Sequence, residues 1–349
     1  MTIGETWISL LKPEQTGFIT EKYLAVKFKP LKTTSAITVA GNIKPDKEII
    51  KWVSTLKNGE KLEVNGQWVA SKGVAKKTVK KEKANLLFIE NAWDIFQKNG
   101  EAIHVDFAIL TAKRKSQPLG KNNQSLKSSR IFIEKGAKVN FSILNASEGP
   151  IYIGKDAEVM EGTIIRGPFA LCEHGTVKMA AKIYGPTTVG PYCKVGGEIS
   201  NSIFQAYSNK GHDGFLGNSV IGEWCNFGAD TNSSNLMNTY GKLKIYSYKT
   251  SKLEQTPITF CGVLMGDHSK TGINTMLNTA TVVGVSANIF GAGFPAKYVP
   301  SFTWGGTQSS EKFKLDKAFE VAENMMQRRD LKLSQADKKI MSHIFGMAQ

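Results

Sequence analysis

One histidine, His212, is flanked by glycines that would let its imidazole contact a bound molecule. Gly211 precedes it and Gly214 follows it closely, and glycines allow a ligand to approach the backbone. A neutral imidazole has a pKa of about 6.5 and can accept a proton as a general base near neutral pH. Backbone N–H groups in a glycine-rich corner can stabilise an oxyanion. A turn histidine bonded only to backbone fits the spacing equally, so both interpretations remain open.

Two further histidines, His174 and His268, raise the alternative of a metal site, as in carbonic-anhydrase-like β-helices. Zinc sites are commonly built from histidine, cysteine and carboxylate ligands at close spacing. No pair of these histidines has that spacing, and few acidic residues adjoin them. We therefore expect no metal site among them.

An aliphatic residue recurs every six positions in the region that carries these histidines. Neither a helix nor a single strand has this period, whereas a triangular solenoid does, because three six-residue repeats complete one turn. The sequence therefore predicts a left-handed parallel β-helix, an exception to the right-handed rule for parallel connections. The aliphatic positions of the first run, which should point inward, are Ile153, Val159, Ile165, Leu171, Val177, Ile183, Val189 and Val195. Those of the second run are Met265, Thr271, Leu277, Val283 and Ile289.

The six-residue period is interrupted twice, at residues 200–215 and 231–260. Insertions in a solenoid commonly form loops on its binding face, so both interruptions are candidate walls of a site. His212 lies in the first of them, where we expect a loop to leave the prism.

The segment NKGHDGFLGNSVIGEWCNFGADTNSSN, residues 209–235, resembles a known enzyme family. It is similar to the bifunctional UDP-N-acetylglucosamine pyrophosphorylase and glucosamine-1-phosphate N-acetyltransferase family of bacteria. The motifs concerned are Gly211-His212, Leu216-Gly217, Ile221-Gly222 and Asn226-Phe227-Gly228-Ala229, and RGPFA at 166–170 and the stretch 262–300 extend the similarity. The resemblance implies an acyltransferase of the hexapeptide-repeat class, with acetyl-CoA as co-substrate and a phosphorylated sugar as acceptor.

The resemblance also implies the roles of individual residues. His212 would be the general base, and Glu198 would orient it. Asn226, Lys210 and Arg166 would bind the sugar substrate, while Gly228, Ala229 and Asn235 would contact acetyl-CoA. Several positions depart from the family pattern: Ser200, Phe215, Glu173 and Leu236 stand where the family has lysine, tyrosine, arginine and tyrosine. Phosphate recognition must therefore differ, and the positive charge could come instead from Arg166, Lys178, Lys242 or Lys244.

Four parts are expected along the chain. Residues 1–115 would form a partial nucleotidyltransferase-like α/β domain and 116–130 a polar linker. Residues 131–300 would form the β-helix acyltransferase domain and 301–349 a helical tail. In the first part, residues 49–56 have approximately helical spacing after Asp46, and residues 86–89 and 105–110 suit buried strands. In the tail, an apolar stripe runs from Leu315 to Met326, and Ser334 with Asp337 has the form of a capping box before a further helix.

The start of the chain lacks the glycine-rich loop that cradles a nucleoside triphosphate in this family. We interpret this as a missing N-terminal segment and expect little or no pyrophosphorylase activity. Mg²⁺ would be needed only if nucleotidyl transfer occurs.

Composition bounds the remaining possibilities. The chain has 349 residues, 41% of them hydrophobic, and a net charge of +15, which favours anionic partners. The lysine clusters carry no interleaved aromatic residues, so we expect no nucleic-acid partner. No stretch of the sequence approaches the roughly 18 apolar residues of a membrane span, so we expect no membrane partner either. We predict a cytoplasmic homotrimer that acetylates an amino-sugar 1-phosphate in sugar nucleotide biosynthesis. The alternatives are a sugar-1-phosphate nucleotidyltransferase and a non-catalytic scaffold that binds a sugar nucleotide.

Overall fold

The computed structural model describes residues 1–33, 35–307 and 309–348. The chain divides into two compact units, Met1–Asn91 and Ala92–Gln349.

The first unit is mixed α/β and has its own apolar core. Helix Lys47–Ser54 begins at the N-cap Asp46, whose carboxylate accepts bonds from the backbone N–H groups of Glu48 and Ile49, which confirms the predicted helix. The other helix of this unit, at its N-terminal end, spans Ile3–Leu11. The strands are Ile37–Val39, Ile43–Lys44, Glu60–Val64, Gln67–Lys72, Lys77–Lys81 and Leu87–Phe88, the last of which confirms the predicted strand at 86–89.

The second unit is a parallel β-helix with three faces. The first face consists of Gln124–Leu126, Ile143–Asn145, Ile164–Arg166, Lys182–Tyr184, Glu198–Ser200, Phe215–Gly217, Asn232–Ser233 and Met276–Leu277. The second consists of Ile131–Ile133, Ile151–Ile153, Phe169–Leu171, Thr187–Val189, Ile203–Phe204, Val220–Ile221, Leu264–Met265, Val282–Val283 and Tyr298–Val299. The third consists of Lys138–Val139, Glu158–Val159, Thr176–Val177, Lys194–Val195, Asn209–Lys210, Lys270–Thr271, Asn288–Ile289 and Thr303–Gly305, with Ser310–Lys312 added antiparallel to it.

The six-residue period does determine the interior. All predicted inward residues of both runs are buried. All except the polar Thr271 form one continuous apolar core together with small residues at the corners. The predicted fold class, mainly β with a parallel β-helix and C-terminal helices, is confirmed.

The helix Asn99–Leu110 corrects the prediction of a strand at 105–110. It packs against Phe169–Leu171 and Thr187–Val189 of the second face, where Thr188 donates a hydrogen bond of 2.8 Å to Asn99 Oδ1. The apolar run is helical because its large residues also recur at three- and four-residue spacing, and short runs do not distinguish the two periods. A short helix, Asp94–Gln97, precedes it.

The first interruption of the period is a compressed coil, which corrects the prediction of a loop leaving the prism at 200–215. The parallel strands Ile203–Phe204 and Asn209–Lys210 continue the second and third faces through it. The second interruption is an insertion that includes the antiparallel hairpin Lys244–Ser247 and Lys252–Gln255.

The tail forms two helices, Leu315–Gln327 and Gln335–Met347, as predicted. Ser334 Oγ accepts a hydrogen bond of 3.1 Å from Asp337 N, which completes the predicted capping box. The helices pack on Trp224 and Phe302, which lie at the edge between the second and third faces. None of the helices described is long and apolar enough to cross a membrane.

Ile183 provides a direct test of the register, because only 2% of its surface is exposed. Ile183→Ala should lower the free energy of unfolding by about 2–5 kcal/mol, through lost burial and a residual cavity. Urea denaturation measures this value, with the adjacent exposed Lys182→Ala as control. Equal stability of the two variants would contradict the register.

Candidate active site

His212 lies at the corner between the third and first faces, beside a shortened coil. Four residues, 178–181, connect Val177 to Lys182 at this corner, whereas only Gly196 and Gly197 connect Val195 to Glu198 in the next coil. The loop 211–214 then restores four residues. The shortened corner, here called the notch, consists of backbone without side chains, and His212 is exposed on the loop of the next coil.

Lys210 holds the His212 loop from inside the prism. It pairs with Val195 in register, so it occupies an inward position that is apolar in the neighbouring coils, and only 1% of its surface is exposed. Its Nζ donates hydrogen bonds of 2.6 Å to the carbonyl oxygen of His212 and 2.9 Å to that of Asp213. Burial lowers the pKa of Lys210 to about 8. The predicted substrate ligand is therefore placed as a support for the loop.

A row of glycines runs past the notch along the outer side of the third face. Strand register places Gly196, Gly211, Gly228 and Gly272, here called the glycine column, one above another in successive coils. Lys178 precedes the column and Phe290 follows it at the same position. A Cβ added at Gly196 would lie 2.6 Å from the Gly211 carbonyl oxygen, so a side chain there would disturb the coil stacking. The four glycines carry no side chains of their own, which suits this part of the face to an extended ligand.

Polar side chains border the glycine column on its third-face side. The register places Lys194, Asn209, Asn226 and Lys270 side by side in successive coils. The Oδ1 atom of Asn209 is buried and has no hydrogen-bond partner among the described residues. Lys270 Nζ donates to the His268 carbonyl oxygen at 2.8 Å, and burial lowers its pKa to about 8.

The structure brings part of the predicted site together. His212, Gly228 and Ala229 lie along one corner in consecutive coils, and Asn226 lies two residues before Gly228 on the adjoining face. The proposed base and three of the proposed ligand-binding residues thus share one surface. This proximity arises because one turn of the solenoid returns the chain to the same corner.

Three predicted residues lie away from this surface or engage other partners. Glu198 begins the first-face strand beside the notch, but its carboxylate lies 3.8 Å from Lys182 Nζ, and none of its described contacts is with His212. Arg166, also on the first face, forms an ion pair of 3.5 Å with Glu148. Asn235 donates a hydrogen bond of 2.7 Å to Asn218 Oδ1, at the corner between the first and second faces.

His174 and His268 lie on a different corner from His212. They belong to a stacked aromatic column at the edge between the second and third faces, in which Tyr192, Tyr207 and Trp224 separate them. The three histidines therefore do not converge within this chain. Among the described residues, no group of three or more histidine, cysteine, aspartate or glutamate side chains is arranged to hold a metal ion.

A cavity of about 390 Å³ lies at the first-to-second corner, away from the glycine column. Phe96, Asn201, Asn218 and Phe260 are among its lining residues. Asn218, one of the lining residues, accepts the hydrogen bond from the predicted cofactor residue Asn235, so Asn235 lies beside this cavity.

Sequence reasoning missed the notch and the inward position of Lys210. The signal for the notch was the distance from Val195 to the next inward residue, Ile199, which is four positions instead of six. The signal for Lys210 was its place six positions after Phe204, where the period demands an inward side chain.

Comparison with known proteins identifies one matching family and several relatives. Residues 1–115 match the family described as sugar nucleotidyl transferase. The bifunctional protein GlmU of Methanocaldococcus jannaschii is 31% identical over 118 residues, which cover 34% of this chain and 26% of that protein. A bifunctional sugar-1-phosphate nucleotidylyltransferase/acetyltransferase of Sulfurisphaera tokodaii is 27% identical over 145 residues, 41% of this chain and 36% of that protein. These relatives confirm the predicted resemblance, and this chain spans only 26–36% of their lengths.

Solved structures with a similar path include the polySia-specific acetyltransferase NeuO, at 14% identity and a TM-score of 0.32, covering 59% of this chain and 94% of that one. A hexapeptide transferase family protein from Anaplasma phagocytophilum has 13% identity and a TM-score of 0.26, covering 64% of this chain and 92% of that one.

Proposed function

We propose that this protein is an acetyl-CoA-dependent N-acetyltransferase that acts on an amino-sugar 1-phosphate. The observation that carries the proposal is the exposed His212 beside a side-chain-free notch, at the edge of the glycine column. The relationship to bifunctional nucleotidylyltransferase/acetyltransferase proteins supports the same class of reaction. Release of free coenzyme A thiol in the presence of glucosamine-1-phosphate tests it.

His212 would accept the proton that the sugar amine loses as its nitrogen attacks the thioester carbonyl. The C–N bond forms, the carbonyl π electrons move to oxygen, and backbone N–H groups of the corner stabilise the oxyanion. When the tetrahedral intermediate collapses, the C–S bond breaks and the proton held by His212 passes to the leaving thiolate. The coenzyme arm would lie along the glycine column near Gly228 and Ala229, with Asn226 beside the acceptor.

The first face supports assembly into a trimer. It displays Ile143, Ile164 and Tyr184, each 39–48% exposed, and Met179, 67% exposed, lies at the adjoining corner. We take these neighbouring exposed apolar side chains as part of an interaction surface. A closed ring of three would bury the face beside the His212 corner of a neighbouring copy.

Light scattering at micromolar concentration is therefore expected to give the mass of a trimer, and Ile164→Glu the mass of a monomer. The control is Lys155→Glu, an exposed position at the edge between the second and third faces. A monomeric native protein would contradict the proposed assembly.

The family match of residues 1–115 favours nucleotidyl transfer as a second candidate function. Triphosphate binding usually needs several backbone N–H donors in a glycine-rich loop, and Gly4 and Gly17 are isolated in this sequence. We expect little pyrophosphate release from UTP and a sugar 1-phosphate with Mg²⁺. Robust release, unchanged in His212→Ala, would instead assign this activity to the N-terminal unit.

A further inference from the structure

A cluster of cations lies at one end of the glycine column. Lys178 precedes Gly196 in the column, and its side chain runs along the glycines: its Cβ and Cγ lie 3.1 and 3.9 Å from the ideal Cβ positions of Gly196 and Gly211. This path carries its ammonium group toward the residue that precedes His212.

Two further elements contribute to this cluster. Lys194 lies on the outer side of the third face and pairs with Thr176, two residues before Lys178. Arg329, at the end of the first tail helix, donates a hydrogen bond of 3.4 Å to the carbonyl oxygen of Tyr192, two residues before Lys194. The tail helix thus brings a guanidinium group to the strand that carries Lys194.

These positive charges repel one another. Burial lowers the pKa of Lys194, and Arg329, Lys178 and Arg328 lower it further, while Glu158 raises it. Lysines and arginines gathered in this way cost free energy unless an anion binds among them.

We propose that Lys178, Lys194 and Arg329 form a binding site for a phosphate monoester, and that this phosphate belongs to the acceptor sugar. The assignment rests on the proposed function and deepens it. Lys178 connects this cluster to His212, because its side chain passes Gly196 and its Cγ lies 3.9 Å from the ideal Cβ position of Gly211, the residue before His212. In a 2-amino-sugar 1-phosphate, the amine and the phosphate are on adjacent ring carbons, so a phosphate bound by Lys178 would leave the amine close to His212. Lys194 and Arg329 would contact the phosphate from the side of the third face nearer Tyr192. In acetyl-CoA, the whole pantetheine arm separates the thioester from the phosphate groups. A thioester placed at His212 would therefore leave the phosphates of the coenzyme too far away to reach Lys178.

The site explains how the chain could bind a phosphorylated sugar although Ser200 and Glu173 replace basic residues of the family pattern. It also gives the helical tail a role, since Arg329 would complete the phosphate site only when the tail is docked on the β-helix.

The test measures binding separately from turnover. Glucose 1-phosphate, which lacks the amine, is titrated calorimetrically into the native protein and into Lys178→Met/Lys194→Gln. The double variant should bind it at least about tenfold more weakly, as expected for the loss of charge-assisted hydrogen bonds. Lys138→Gln, on the same outer row three coils away, is the matched control and should bind normally.

A second titration with adenosine 3′,5′-bisphosphate distinguishes the two sources of phosphate. Unchanged affinity in the double variant supports the acceptor sugar, whereas a loss confined to this ligand would overturn the assignment in favour of the coenzyme. Equal binding of glucose 1-phosphate by the native protein and the double variant would overturn the site itself. Because neither titration requires catalysis, an inactive protein that still shows the selective loss would leave the site standing and contradict only the proposed function.

Discussion

His212→Ala is expected to lower kcat for acetyl transfer by about 10²–10⁴-fold, while the fold and the oligomer remain intact. The imidazole is exposed on a loop that Lys210 holds from below, so its removal leaves the buried core unchanged. The KM for acetyl-CoA should change less, because the base acts mainly in the transition state. Steady-state kinetics with circular dichroism and light scattering measure all three properties.

His174→Ala and His268→Ala are the matched controls, because both residues belong to the aromatic column on another corner. Each should retain more activity than His212→Ala. If all three variants fell together and lost a bound metal, the metal-site alternative would be correct. Full activity of His212→Ala would show that another group is the base.

Lys210→Met should lower kcat by about tenfold or more, although Lys210 does not reach the surface. The substitution removes both hydrogen bonds to the carbonyl oxygens of the loop, so the imidazole is no longer held in one position. Global stability should stay equal or increase, since an apolar side chain replaces a buried charge of similar length. Kinetics, together with hydrogen exchange of residues 211–214, distinguish a positioning role from general destabilisation.

The pH dependence of stability provides a second readout for Lys210. Its pKa of about 8 in the folded protein lies below the ordinary value of about 10.4, so the unfolded chain binds more protons between these values. The native protein should therefore gain stability as pH rises from about 8 to about 10.4, and Lys210→Met should lose this gain. Leu216→Met, at another inward position, is the control and should keep it. A Lys210→Met enzyme with native kcat and native exchange rates would refute the positioning role.

The sequence predicts the β-helix well because its interior tolerates little variation. Residues such as Val177 and Val189 are wholly buried in a narrow prism, and this constraint imposes the six-residue period. The six-residue period is lost where the coils shorten. Between Val195 and Leu216 the inward positions are spaced by four, five and six residues, and one of them is a lysine, so the pattern looks interrupted although the solenoid continues.

The site is less predictable because its parts come from different elements. The motif around His212 predicts that Asn226, Gly228 and Ala229 are near it, since one turn of the solenoid returns to the same corner. No periodicity relates Arg329 in the tail to Lys194 on the third face; their proximity depends on how the tail helix docks. Asn235 lies apart from this corner, because the chain leaves the solenoid after Asn232–Ser233 and returns only at Leu264–Met265.

Thiol release from acetyl-CoA, measured with a panel of amino-sugar phosphates and their unphosphorylated counterparts, tests whether this protein N-acetylates an amino-sugar 1-phosphate. We expect thiol to appear in equal amount to N-acetylated sugar, with an amino-sugar 1-phosphate as the best acceptor. Thiol release no faster than background hydrolysis with every acceptor, from a folded trimer, would contradict it.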